Sequence, residues 1–131
     1  MVLSKSSISS LIPCSCKRLA EVSEEELVEL KLGYRAKYIC DAANRVASGV
    51  LDLDKIDASN ASEELLKVLG VGEKVANCIR LFAIEDYSSF PVDVWVKRII
   101  ANRFDGKLDT KKTGIYGGIA QQYLFCYERE I

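Results

Sequence analysis

The sequence has no histidine, and its five cysteines (Cys14, Cys16, Cys40, Cys78 and Cys126) are odd in number, scattered, and without a paired CxxC spacing. Those absences remove the usual zinc patterns, which need four cysteine or histidine ligands at close intervals. The lone CxC at Cys14 and Cys16 is too small a set to replace them. Reduced thiols in a cytosolic setting are the plain reading. Nothing approaches the roughly 20 consecutive apolar residues of a membrane-spanning helix. Ile8, Leu11 and Ile12 lend the start some hydrophobicity, but serines interrupt it. It therefore makes a poor signal peptide, and Pro13 before Cys14 spoils the faint likeness to a lipoprotein cleavage site. The formal charge is only −1, so the overall field does not announce a nucleic-acid binder. A protein that grips phosphates with backbone amides and a few placed lysines does not need such a field.

Strand-like alternation is nearly absent too, as are repeats and low-complexity tracts. At 131 residues the chain can bury a core without metal or disulfide staples, so one domain is expected. Residues 1 to about 18 are serine-rich and read as irregular. Ser23 and Glu26 have the spacing of a capping box, in which each side chain satisfies an orphan amide at a helix start, predicting a helix from Glu24 to about Lys31. Gly33 precedes a second helix, Tyr34 to Ser48, with Tyr38, Ile39, Ala42, Ala43, Val46 and Ala47 on one face. Asp57 or Asn60 caps a third, burying Leu65, Leu66 and Leu69. A fourth runs from Glu73 to about Ile84 with Val75, Ala76, Ile79 and Ala83 inward. Asp93 caps a fifth, Val94 to Phe104, and the last spans about Tyr116 to Glu130. The expected fold is an all-α helical bundle containing a helix-hairpin-helix DNA-binding motif.

The chemistry is concentrated at the hairpin. Lys74 follows the turn Gly70-Val71-Gly72, and Asp93 stands nineteen positions further on in Phe90-Pro91-Val92-Asp93. Glycines let a backbone turn tightly and approach another surface such as a phosphate, and the amides at the following helix start face that surface. A lysine in the first helical turn sits at the positive end of the dipole, which favours its neutral form. Cys78 and Phe82, one and two turns on along the same face, would add desolvation in the same direction. A neutral amine is a nucleophile able to form a Schiff base with a sugar carbon. An ordinary surface lysine and an ordinary N-cap aspartate account for the same two residues, although a capping carboxylate that stays ionised also stabilises developing positive charge. Gln121 and Phe125 share a helical face and offer an amide beside a ring, as a base pocket or simply as core and surface. Tyr34, Arg35 and Lys37 suit a wedge in an opened duplex or plain surface packing. Lys97, Arg98, Arg103, Lys107, Lys111 and Lys112 supply positive charge near the same end of the chain, although runs of this kind are usually solvated faces.

At these residues the sequence closely resembles the 8-oxoguanine DNA glycosylase/AP lyase family of the helix-hairpin-helix superfamily. The likeness runs from about residue 19 to 131. It is strongest in Leu32-Gly33-Tyr34-Arg35-Ala36-Lys37-Tyr38, Gly70-Val71-Gly72-Glu73-Lys74-Val75-Ala76-Asn77-Cys78, Pro91-Val92-Asp93-Val94 and Tyr116-Gly117-Gly118-Ile119-Ala120-Gln121-Gln122-Tyr123-Leu124-Phe125. The resemblance implies that Lys74 is the Schiff-base lysine and Asp93 the catalytic aspartate. It places Cys78, Phe82, Gln121 and Phe125 around a flipped base. Tyr34 becomes the wedge and Arg35 the contact to the estranged cytosine, with Gly70, Val71, Gly72 and Trp95 on the DNA. It implies no catalytic metal and no redox cofactor, with a structural monovalent cation as an option at the hairpin. The four-cysteine iron–sulfur signature of the endonuclease III branch is absent, and Leu69 replaces a proline common before the hairpin.

By the same resemblance the chain is the C-terminal part of such an enzyme. Residues 1–18 form an irregular segment and 19–131 the glycosylase domain, without the family's N-terminal domain, which helps distinguish oxidised from normal guanine. The implied function is a base excision repair glycosylase/AP lyase removing 8-oxoguanine from duplex DNA. The alternative is a truncated, catalytically silent module that binds DNA or a partner protein. Expected partners are double-stranded DNA with a damaged base and no membrane, with a monomer whose missing domain is supplied in trans as a further option. The expected location is the cytoplasm beside the nucleoid in a prokaryote, or the nucleus in a eukaryote.

Overall fold

A computed structural model describes residues 15–130. No strand occurs among them; the chain is all-α and carries the helix-hairpin-helix. The residues form two compact units, one of residues up to Lys55 together with Val68–Gly70, the other of Ile56–Lys67 and the residues from Val71 onward.

In the first unit, α1 (Cys16–Glu21) begins inside the segment that the sequence reads as irregular. Ser15 makes the difference: its hydroxyl accepts the Arg18 N–H at 3.3 Å, satisfying one orphan donor of a short helix. Cys14 lies outside the described residues, and Cys16 is a free thiol. The capping box opens α2 (Glu24–Glu29) as expected, with the Glu26 N–H to Ser23 Oγ at 3.2 Å and the Ser23 N–H to Glu26 Oε2 at 2.9 Å. This helix stops two residues short of Lys31, which adopts φ 64°. Then α3 (Arg35–Ala47) buries Ala36 and Ala43, and α1 and α2 both pack against it. Gly70 of the hairpin turn also belongs here. Its φ is +83°, and a Cβ on it would stand 2.7 and 2.8 Å from ring carbons of Tyr38, so glycine is required both by conformation and by space. Beside it the Leu69 N–H donates to Asp41 Oδ2 at 3.2 Å. The Arg45 guanidinium at 2.7 Å from the same oxygen holds the Asp41 carboxyl below the ordinary range.

In the second unit, α4 (Ala61–Leu66) packs on α5 (Glu73–Ala83), and α6 (Val94–Arg103) packs on α7 (Gly117–Glu130). Ala61, Leu65 and Ala76 form a buried cluster with Ile56, Val71, Ile79 and Ile84 around it. The small alanines let α4 and α5 approach closely. Two expectations about burial fail. Leu66 and Leu69 are exposed rather than inward, because one buried leucine, Leu65, already fills the short α4 contact. Along α5, Val75 and Ala83 are exposed while Ala76 and Leu81 are buried, so the inward face is rotated from the periodic reading. The cause is the segment after α5, which folds back over Asn77 and Arg80.

Candidate active site

Lys74 is the second residue of α5. Gly72 caps the helix with extended backbone and no side-chain bond, and its carbonyl accepts the Ala76 N–H at 2.9 Å. The free amides of the first turn therefore place Lys74 in positive potential, opposed within that turn by Glu73 next to it. The Lys74 side chain is exposed, so the desolvation anticipated from Cys78 and Phe82 is not provided by the described residues. Asp93 is half-buried at the start of α6, where Oδ1 accepts the Val96 N–H at 2.8 Å. That bond fixes the side chain's rotamer at the helix start.

Between the two runs a strap, residues 84–92, whose anchoring the sequence does not advertise. The Arg80 guanidinium grips Asp86 Oδ2, with Nε at 2.9 Å, and reaches Ser62 Oγ at 3.0 Å. Burial pushes the Asp86 carboxyl up, but the Ser88 hydroxyl and Arg80 outweigh it and hold it below the ordinary range. Ser89 is buried, and its hydroxyl donates to the Asn77 carbonyl at 2.9 Å, with Asn77 Oδ1 at 3.1 Å. From α7 the Gly118 N–H donates to the Tyr87 carbonyl at 2.8 Å, and Gln121 Nε2 to the Pro91 carbonyl at 3.1 Å. The strap is therefore bonded on one side to the helix that carries Lys74 and on the other to α7, and it delivers Asp93. Spacing in the sequence shows Asn77, Arg80, Asp86 and Ser89 only as ordinary polar residues. The one available signal is the pair Gly117-Gly118 at a helix start, where propensity disfavours glycine.

A cleft of about 830 Å³ opens within this unit. Lys74, Lys97 and Lys111 line it together with Phe90, Val92 and Ile115. Asp93 is not among its lining residues, although Val92 just before it and Lys97 one turn after it are.

No protein-family model matches the chain. The N-glycosylase/DNA lyase OGG1 of Arabidopsis thaliana is 36% identical to it over 137 residues, covering 87% of this chain and 38% of that protein. The probable N-glycosylase/DNA lyase of Methanothermobacter thermautotrophicus is 34% identical over 122 residues, covering 84% of this chain and 39% of that one. A crystal structure of Clostridium acetobutylicum 8-oxoguanine glycosylase/lyase, bound to double-stranded DNA with cytosine opposite 8-oxoguanine, superposes with a TM-score of 0.78 at 38% identity. That match covers 88% of this chain and 44% of the other. Over most of its own length the chain is homologous to the 8-oxoguanine DNA glycosylase/lyases. It spans about two fifths of the length of the curated relatives it matches.

Of the positions that this homology draws attention to, the structure brings some together and leaves others apart. None of Cys78, Phe82, Gln121 and Phe125 lines the cleft that holds Lys74. Cys78 is a half-buried free thiol on α5, and Phe82 is 62% exposed. Gln121 is only 3% exposed, and its amide is engaged by Pro91 and, on the oxygen, by the Gln122 amide. Among the described residues its amide thus ties α7 to the strap. Phe125 is half-buried, with the Arg129 guanidinium 5.4 Å from its ring centre. Trp95 is 40% exposed on the first turn of α6 under Arg98. In the other unit Tyr34 is exposed, with Arg35 stacked 4.7 Å from its ring centre. Tyr34 meets Tyr38 edge to face at 6.1 Å, and Tyr38 is the ring that covers Gly70. The tyrosine pair and the hairpin glycine thus form one packed surface, a contact that no local pattern announces. Val71 is half-buried in the α4–α5 cluster of the second unit, and Gly72 is exposed. No group of three or more cysteine, aspartate or glutamate side chains able to hold a metal occurs among the described residues.

Proposed function

We propose that this chain carries the lysine-bearing half of a bifunctional glycosylase/AP lyase that removes 8-oxoguanine from duplex DNA. The observation that carries the proposal is the exposed Lys74 amine on the first turn of α5, tied through Asn77 and Arg80 to the strap that ends at Asp93. In the proposed reaction the damaged base leaves the stack at a cost of a few kcal/mol. Lys74 Nζ bonds to the anomeric carbon as the C1′–N9 bond breaks, and the purine departs with the bonding pair and picks up a proton. The Asp93 carboxylate stabilises the oxocarbenium-like charge. Ring opening gives the imine, loss of a C2′ proton follows, and the 3′ phosphate leaves by β-elimination. A monovalent cation at the hairpin, held by backbone carbonyls, would take no part in these steps.

The test is borohydride trapping on a duplex with 8-oxoguanine opposite cytosine. The unaltered chain gives a covalent adduct and Lys74→Gln gives none; an equally strong adduct from Lys74→Gln rejects the assignment. A second reading, a DNA-binding module without chemistry, is favoured by the engaged Gln121 amide and by the separation of Cys78, Phe82 and Phe125 from the cleft. Tight binding to abasic-site DNA without any adduct would support it. Activity that appears only when the remainder of a relative is added would support a chain completed in trans.

A further inference from the structure

We propose that the cleft bearing Lys74 seats the phosphodiester backbone of the damaged strand, with Lys97 and Lys111 as its phosphate contacts. This rests on the glycosylase reading and assigns to two residues a role that the motif positions do not contain. The argument starts from which cations are already spent. In the second unit Lys67, Arg80, Arg103 and Lys112 pair with carboxylates, and Arg98 and Arg129 lie over aromatic rings. Among the described residues the side chains of Lys74, Lys97, Lys107 and Lys111 have neither kind of partner, and three of these four line one cleft. Three of the second unit's four amines without such a partner thus surround one concavity, which raises its potential and attracts an anion.

The rest of the wall restricts which anion. Ser62, Asn77, Arg80, Ser88 and Ser89 spend hydrogen bonds on one another or on Asp86 and offer little further recognition of a small ligand. Phe90, Val92 and Ile115 supply apolar surface beside the amines. Mixed cationic and apolar surface in an open cleft fits a sugar-phosphate strand better than a compact free anion. Glu73 is the single carboxylate among the lining residues. The residues assigned to a flipped base all lie off this cleft, while Lys74 belongs to it, so the backbone would run along the cleft with the reacting deoxyribose at the lysine.

Counterion release gives the measurement. Each phosphate contact on B-form DNA contributes about 0.9 to the slope of log K against log salt. Binding of the full chain to a fluorescent duplex is followed by anisotropy over a salt series, once with normal bases and once with 8-oxoguanine opposite cytosine. Lys97→Gln and Lys111→Gln should each reduce the slope by about 0.9, and the double variant by about 1.8, equally on both duplexes. Glu73→Gln should tighten binding. Lys107→Gln, an unpaired lysine off the cleft, should leave the slope as it was. All these side chains are exposed, and unchanged melting of each variant excludes loss of fold. An unchanged slope in the double variant, or an equal loss from Lys107→Gln, overturns the proposal. If the unaltered chain also forms the borohydride adduct, that result removes the cleft alone; if it binds no duplex at all, the glycosylase reading falls with it.

Discussion

Substituting Gly118 by alanine tests the strap most directly, because it adds one methyl where two backbones meet. A Cβ on Gly118 would overlap the Ser89 carbonyl oxygen and come within 2.6 Å of Leu81 Cδ1 and 3.0 Å of the Tyr87 carbonyl oxygen. No left-handed φ is involved, so the cost is one of space. Overpacking of this kind costs about 1–3 kcal/mol. Disturbing the Gly118 N–H bond to Tyr87 adds about 1 kcal/mol. Replacing glycine by alanine in a helix returns up to about 1 kcal/mol, less at a first turn. The balance is a destabilisation of about 2 kcal/mol, a fall in Tm of roughly 6–10 °C for a chain of this size. Gly117→Ala is the internal comparison. There the added carbon meets the Thr113 side chain, whose Oγ1 can rotate away and leave its Cβ at 2.8 Å as the remaining clash, against a carbonyl oxygen and a leucine methyl both under 3.0 Å at Gly118. The order Gly118→Ala worse than Gly117→Ala is therefore required, read by thermal denaturation. In trapping assays Gly118→Ala should lose more adduct than DNA affinity, since the displaced strap carries Asp93. A Gly118→Ala protein that melts within about 1 °C of its parent would refute the packing argument.

Two other outcomes follow from the same geometry. Asp93→Asn keeps an oxygen to accept the Val96 N–H and should melt within a few tenths of a kcal/mol of the parent while forming far less trapped adduct; Asp93→Ala should also lose about 1 kcal/mol of stability with the cap. Equal adduct yields from Asp93→Asn and the parent would count against an electrostatic role. The acid limb of stability is set in part by Asp41 and Asp86, whose folded-state carboxyls are held below the ordinary aspartate value of 3.8. A lowered folded value means that the unfolded chain binds more protons near that pH, so this stability is present above about pH 4 and is lost as pH falls through the lower folded values. Denaturant titrations at pH 6 and pH 3 should show the loss, and Asp86→Asn should reduce it.

Much of the helical framework was legible in the sequence. Ser23 and Glu26 announced α2, Asp93 announced α6, and Gly72 before Glu73 announced α5, and each helix starts where its cap stands. Caps work within three or four residues, so the chemistry that decides them lies inside the sequence window that reveals it. Leu66, Leu69, Val75 and Ala83 were misjudged because apolar spacing identifies a helical face without naming what covers it. For the site, order and spacing singled out Lys74 and Asp93, while the ties that relate them were not visible. Asn77 to Ser89 and Gln121 to Pro91 join residues 12 and 30 positions apart.

Local sequence thus determined which residues form helices, where those helices begin, and which lysine follows the glycine turn, since capping, propensity and positive φ depend on near neighbours. Tertiary structure alone decided which cations remain unpaired, why two glycines open α7, and that Gln121 holds the strap. Those outcomes depend on which carboxylate, carbonyl or ring arrives from a distant segment, and burial and partnership are properties of the packed chain.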